Sequence, residues 1–168
     1  MTNFEKALNE IYDVEGGYVN DPDDLGGKTN LGITESLARA WGYTGEMKDL
    51  DHDTAKQIYY DVFWSRYDLD EFDFKIAKEV FEQAVNMGPS KAIKNLQKSY
   101  NLLTGNNISA DGIMGPQTKE AVNNYSYPQK IVEILNGLQF LHYKNIVESN
   151  PSQRKFLWGW VNKRVKIG

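Results

Sequence analysis

Residues 15–34, Glu15-Gly-Gly-Tyr-Val-Asn-Asp-Pro-Asp-Asp-Leu-Gly-Gly-Lys-Thr-Asn-Leu-Gly-Ile-Thr34, hold five glycines and three aspartates in twenty positions, and no helix runs through such a stretch. The chain before it has helical periodicity, with Phe4, Ala7, Leu8, Ile11 and Val14 on one stripe. Gly16 and Gly17 stop that helix, since glycine supplies the left-handed conformation that helix ends favour. Glu15 is thereby expected at the last turn of a helix, facing a loop that turns back. The negative end of the helix dipole disfavours an anion there, so a partly buried Glu15 has its pKa raised. A carboxylic acid held protonated near neutral pH is what general-acid cleavage of a glycosidic bond requires.

The rest of the chain reads as helix after helix. Tyr18 to Thr34 is expected as a turn-rich β-hairpin or extended loop. Thr34 then caps a helix through Trp41, which Gly42 ends. Asp53 is the expected cap of the next, with Ala55, Ile58, Tyr59, Val62 and Phe63 on its apolar face. Phe74 to Met87 forms a third, with Ile76, Ala77, Val80, Phe81, Ala84 and Val85 at core spacing. Gly88-Pro89-Ser90 breaks the chain and opens a helix through Tyr100. Thr104 to Gly115 is a loop, and Pro116 opens another helix at the position where its missing N–H costs nothing. Helices from Pro128 to about Val147 and from Gln153 to Lys166 complete a mainly α architecture. Trp64, Trp158 and Trp160 all fall in helical patterns and are expected in the core.

Composition narrows the functional classes. The chain has no cysteine, which excludes a disulfide scaffold and a thiolate zinc site. His52 and His142 have no ligand-spaced partner and read as surface or packing residues, so no metal or cofactor is expected. Asp21-Pro-Asp-Asp-x-Gly resembles the start of a calcium loop, but its twelfth position is Gly32 rather than the bidentate Glu such a loop needs. A net charge of −4 without a dominant basic face argues against nucleic acid. The tail is basic, through Arg154, Lys155, Lys163, Arg164 and Lys166, and reads as a solvated face. No apolar run approaches the ~20 residues a membrane span needs, so no membrane insertion is expected. The N-terminus lacks the pattern of a secretory signal, so synthesis in the cytoplasm and action on the wall or periplasm after release are expected.

Three motifs, Glu15-Gly16-Gly17, Asp24-Leu25-Gly26-Gly27-Lys28-Thr29 and Gly32-Ile33-Thr34, together resemble the signature of the glycoside hydrolase family 108 muramidases of phages and bacteria. The resemblance continues through Phe63-Trp64, Val85-Asn86-Met87-Gly88 and Leu96-Gln97. It extends to Asp111-Gly112-Ile113-Met114-Gly115-Pro116-x-Thr118 and Gly159-Trp160-Val161-Asn162-x-Arg164, and so covers nearly the whole chain. It implies a lysozyme-like helical fold in which a small β-hairpin or Gly-rich loop forms one side of a cleft. It also implies a muramidase region over residues 1–90 and a peptidoglycan-binding-type helical region over 91–168, packed together.

By the same resemblance Glu15 is the catalytic acid. Glycosidases commonly add a second carboxylate, for which Asp21, Asp23 and Asp24 are candidates. Asp24 lies inside the signature, nine residues after Glu15, and Thr29 follows five later. That spacing is similar to the Glu, Asp and Thr of phage lysozymes of another family, though inexact at the Thr. Asp24 is therefore the expected base and Thr29 the residue that positions water, with Asp21 as the fallback base. Asp24 and Thr29 also suit turn formation alone. Tyr18 and Asn86 are the candidate substrate contacts, and Asn86 equally suits the capping of a helix end. The reading that follows is an endolysin-type lysozyme, a monomer acting on bacterial peptidoglycan and released through a holin or a secretion machine. A lytic transglycosylase using the same Glu15, and a non-catalytic wall-binding or phage structural protein, are the alternatives.

Overall fold

The computed structural model describes residues 1–12 and 28–165. It is mainly α-helical with one two-stranded antiparallel hairpin, the class the sequence predicts. The chain divides into two compact units, Met1–Asp68 and Leu69–Gly168.

In the first unit, α1 (Asn3–Tyr12) buries Phe4, Ala7, Leu8 and Ile11, the predicted stripe. Val14, Glu15 and the two following glycines lie outside the described residues. A capping box starts the helix: Thr2 N–H donates to Glu5 Oε2 at 2.8 Å and Glu5 N–H to Thr2 Oγ1 at 3.2 Å. Lys56 Nζ also reaches Glu5 Oε1 at 2.7 Å, and chiefly for that reason the Glu5 carboxyl is held down to about 2. Phe4 meets Tyr60 edge-on at 5.0 Å and Trp64 at 5.6 Å. Trp64 is fully buried, as expected.

The hairpin pairs β1 (Thr29–Asn30) with β2 (Ile33–Thr34), Thr29 opposite Thr34 and Asn30 opposite Ile33. Leu31 (φ 50°) and Gly32 (φ 75°) make its two-residue turn. Positive φ at both central positions matches the right-handed twist of paired strands. α2 (Glu35–Trp41) follows, with Thr34 Oγ1 accepting from Leu37 N–H at 3.3 Å and Gly42 closing it at φ 111°. Both ends are as the sequence predicts.

α3 (His52–Tyr59) corrects one expectation. Its cap is Asp51, whose Oδ1 accepts from Thr54 N–H at 2.7 Å, and Asp53 falls inside the first turn. An extended residue must precede the helix for its side chain to reach an open N–H, and Asp51 has that backbone (φ −86°, ψ 166°). Residues Tyr60–Trp64 continue as a wider π turn. Val62, expected on the buried face, is only half-buried because the wider turn rotates it off the stripe.

The second unit packs α4 (Phe74–Met87), α5 (Pro89–Thr104), α6 (Pro116–Asn123), α7 (Pro128–Ser149) and α8 (Arg154–Arg164). Proline opens three of these helices at the first position, where no N–H is needed. α4 buries Ile76, Ala77, Val80, Phe81 and Ala84, while Val85 is half-buried. α5 runs a turn beyond the expected Tyr100, to a left-handed Gly105. Leu102 on that turn is 68% exposed, so the helix outlasts its apolar pattern. Lys166, the expected end of the last helix, lies outside the described residues.

A polar group sits inside this core. Gln83 Nε2 donates to Glu79 Oε1 and to the Leu135 carbonyl, each at 3.0 Å, and Asn95 Nδ2 donates to Gln83 Oε1 at 3.0 Å. All three side chains are buried and mutually bonded, which offsets the cost of removing them from water. No helix among the described residues is long and apolar enough to cross a membrane.

Candidate functional site

Of the predicted catalytic residues, Thr29 is described. Glu15 and Asp24, the alternative carboxylates Asp21 and Asp23, and the candidate contact Tyr18 lie outside the described residues. Thr29 sits half-buried on β1, and its hydroxyl has no hydrogen-bond partner among the described residues. The strand is immobilised through its neighbour. Asn30 is 7% exposed, and its Nδ2 donates to the Met47 carbonyl at 2.8 Å, with the Leu50 and Lys48 carbonyls at 3.4 and 3.5 Å. Ile33 is fully buried beneath the turn. Asn30 and Ile33, paired across the hairpin, thus point inward, and the alternation of a strand sends Thr29 to the other face.

The described residues that flank the signature converge on one side chain. Tyr59 of α3 is fully buried and donates its hydroxyl to the Leu31 carbonyl at 3.1 Å. Its ring also meets Tyr12, the last residue of α1, edge-on at 6.0 Å. The apolar stripe marks Tyr59 as core; periodicity carries no signal for its hydroxyl bond. Tyr12 packs edge-on against His52 at 5.6 Å as well, and its hydroxyl is buried with no partner among the described residues. Burial first, and then the Asp53 carboxylate, raise its pKa. A hollow of about 420 Å³ beside it is lined by Glu5, Tyr12, His52, Asp53 and Lys56 among others.

Asn86 belongs to the second unit. Its Nδ2 donates to the Tyr143 hydroxyl, and Arg164 Nη1 donates to its Oδ1. Arg164 Nε also lies 3.9 Å from Glu82, which accepts from Gln139 Nε2 at 2.7 Å. Burial, and then Glu82, push the Tyr143 phenol up. Trp160 stacks on Tyr143 at 5.2 Å and so packs, though half-buried rather than in the core as expected. Trp158 does not: it is 77% exposed. Two residues along a helix turn about 200°, so a Trp160 facing α7 sends Trp158 to solvent.

The Asp111–Thr118 loop is organised by Gln97, a residue that spacing alone does not single out. Its Nε2 lies 3.0 Å from Asp111 Oδ1, 3.1 Å from the Ile113 carbonyl and 3.0 Å from Thr118 Oγ1. Its Oε1 accepts from Gly112 N–H at 2.9 Å. Asp111 Oδ1 also accepts from Ile113 N–H at 2.9 Å, and this bond, then Gln97, lowers its pKa. Gly112 has φ 80°, and a Cβ there would lie 2.6 Å from the Ser90 carbonyl oxygen, so the position excludes every other residue type. These motif residues shape the loop.

Comparison with known proteins covers most of the chain. Residues 8–88 match the family described as Glycosyl hydrolase 108, and residues 91–165 match a Predicted Peptidoglycan domain. Among solved structures the chain is similar to Brucella abortus SagA, at 27% identity and a TM-score of 0.79 over 95% of this chain and 88% of that one. No curated protein matches it. The fold is lysozyme-like, and the class so defined is a glycoside hydrolase directed at peptidoglycan. The chain carries a glycosyl hydrolase 108 region followed by a peptidoglycan domain, as the signature implied.

Proposed function

We propose that the protein is an N-acetylmuramidase that hydrolyses the β-1,4 bond between N-acetylmuramic acid and N-acetylglucosamine. The observation that carries this reading is the family match over residues 8–88, which spans the complete Glu-Gly-Gly signature. Glu15 is the general acid that protonates the leaving oxygen. Asp24 acts as base toward the attacking water, and Thr29 orients that water. A Thr29 hydroxyl without a described partner, on a strand locked by Asn30, suits that task. Tyr18 and Asn86 are the proposed sugar contacts. Asn86 is held by Tyr143 and Arg164, which leaves one amide N–H and one carbonyl lone pair for a ligand.

Catalysis is assigned to residues 1–90 and wall binding to residues 91–168. Action as an endolysin-type monomer, released through a holin or a secretion machine, belongs to the same reading. Mass spectrometry of purified sacculi digested by wild type and by Glu15→Gln tests it. Reducing muropeptides from wild type, with the rate lowered about 10²–10⁴-fold in the variant, are expected. Anhydro-muropeptides would make the enzyme a lytic transglycosylase, in which the sugar's own hydroxyl attacks and Asp24 is dispensable. Wall binding without products from either protein would leave a binding component.

A further inference from the structure

We propose that the exposed face of α6 is a glycan subsite that takes an uncharged stretch of N-acetylated sugar strand against Tyr100 and Tyr125. This inference rests on the peptidoglycan reading above and names the part of the wall polymer that the second unit grips.

Gln117, Glu120, Ala121 and Asn124 fall at i, i+3, i+4 and i+7, one stripe along α6 and the residue that closes it. The opposite stripe, Thr118 and Val122, is buried against the unit's core. Tyr100 from α5 and Tyr125 just past the helix complete a depression of about 310 Å³. That size is at the lower end of the ~300–1,000 Å³ typical of small-ligand sites.

The chemistry of the lining selects the ligand class. Two aromatic rings flank a methyl group and two carboxamides. Tyr100 and Tyr125 meet edge-on at 6.2 Å, and Tyr127, 65% exposed, extends the row at 5.9 Å from Tyr125. Asn106 Nδ2 donates to the Tyr100 hydroxyl at 2.9 Å and helps to hold that ring in place. Pyranose C–H faces stack on such rings, and Gln117 and Asn124 can exchange hydrogen bonds with acetamido and hydroxyl groups. Among the described residues no lysine or arginine lines the depression, and Glu120 is the charged one. That polarity disfavours polyphosphates and the carboxylate-bearing stem peptides of the wall.

Chitotetraose titrated into full-length Glu15→Gln protein tests the assignment, with the Gln117 and Asn124 side-chain amides followed by NMR. Both amides are expected to shift. Tyr125→Ala, which removes the stacking ring, is expected to weaken binding read at those amides about five- to tenfold. Ala121→Leu fills the depression from an exposed helix face and is expected to do the same without depending on the tyrosine. Amides that stay unmoved, or variants that bind like the parent, would overturn the subsite. A response to a stem tripeptide in place of the tetrasaccharide would overturn its assignment to glycan. Sacculus digestion by wild type is scored separately: shifting amides with no muropeptides released would sink the muramidase reading and leave the subsite standing. Muropeptides with silent amides would do the reverse.

Discussion

Each unit contains a glycine-bearing turn drawn from the signature residues, and each turn is held by one carboxamide, yet the two clamps work differently. Among the described residues Asn30 acts through its N–H2, donating to a carbonyl seventeen residues away and reaching toward two others. Gln97 uses both ends of its amide, with three acceptors around Nε2 and Gly112 N–H on Oε1. The first ties a hairpin to a distant short turn and leaves its own loop strained, with Leu31 at φ 50°. The second writes the shape of the loop it holds. A clamp of the first kind positions a strand; a clamp of the second kind shapes a loop.

The difference can be broken in order of size. Gln97→Ala removes every bond from that amide and leaves a buried Thr118 beside an emptied site, so urea unfolding should show a loss of about 3 kcal/mol. A loss under about 1 kcal/mol would mean that the loop holds itself. Gly112→Ala adds a clash with Ser90 to left-handed strain, and about 2 kcal/mol is expected by the same measurement. Asn30→Ala should cost about 1–2 kcal/mol and, by releasing the strand that carries Thr29, lower kcat on sacculi more than it raises KM. Equal activity at reduced stability would show that the hairpin clamp serves folding alone. Leu31→Asn should stabilise by about 0.5–1 kcal/mol, because Asn enters the left-handed region more readily than Leu. A drop in stability would show that the Leu31 side chain is worth more than the strain.

The smallest effect concerns pH. Asp111 is an exposed carboxylate whose folded pKa lies below its ordinary 3.8, so the unfolded chain binds the proton more tightly. Its contribution is complete above about pH 4 and fades as pH falls through the depressed value. Asp111→Asn should flatten that part of the stability–pH curve, as read by urea unfolding at several acidic pH values.

Much of this frame was legible because local signals agreed. Thr34 and Gly42 bound α2 as their chemistry dictates, and three prolines mark three helix starts. The misses have physical reasons. Asp51 and Asp53 are equally good caps in composition, and only backbone conformation chooses between them. A π turn leaves no imprint in a 3.6-residue pattern, so Val62 was assigned to a stripe that the turn rotates away. Trp158 and Trp160 differ by half a turn of one helix, a distinction that aromatic content cannot make. Gln97 is a polar residue in a core helix, and its role depends on a loop fourteen to twenty-one residues on. Of the candidate site, the sequence supplied the motifs and the structure supplied Tyr59, on which Tyr12 and Leu31 meet.

The Asn86 clasp has a consequence in time. Its partners lie 57 and 78 residues downstream. At the usual rates of translation, the ribosome needs about 4–16 s to travel from Asn86 to Arg164. Through that interval α4 can pair with α5 while the carboxamide at its end is served by water. Tyr143 is made first and Arg164 last, so the Asn86 clasp is completed only once α8 has been synthesised.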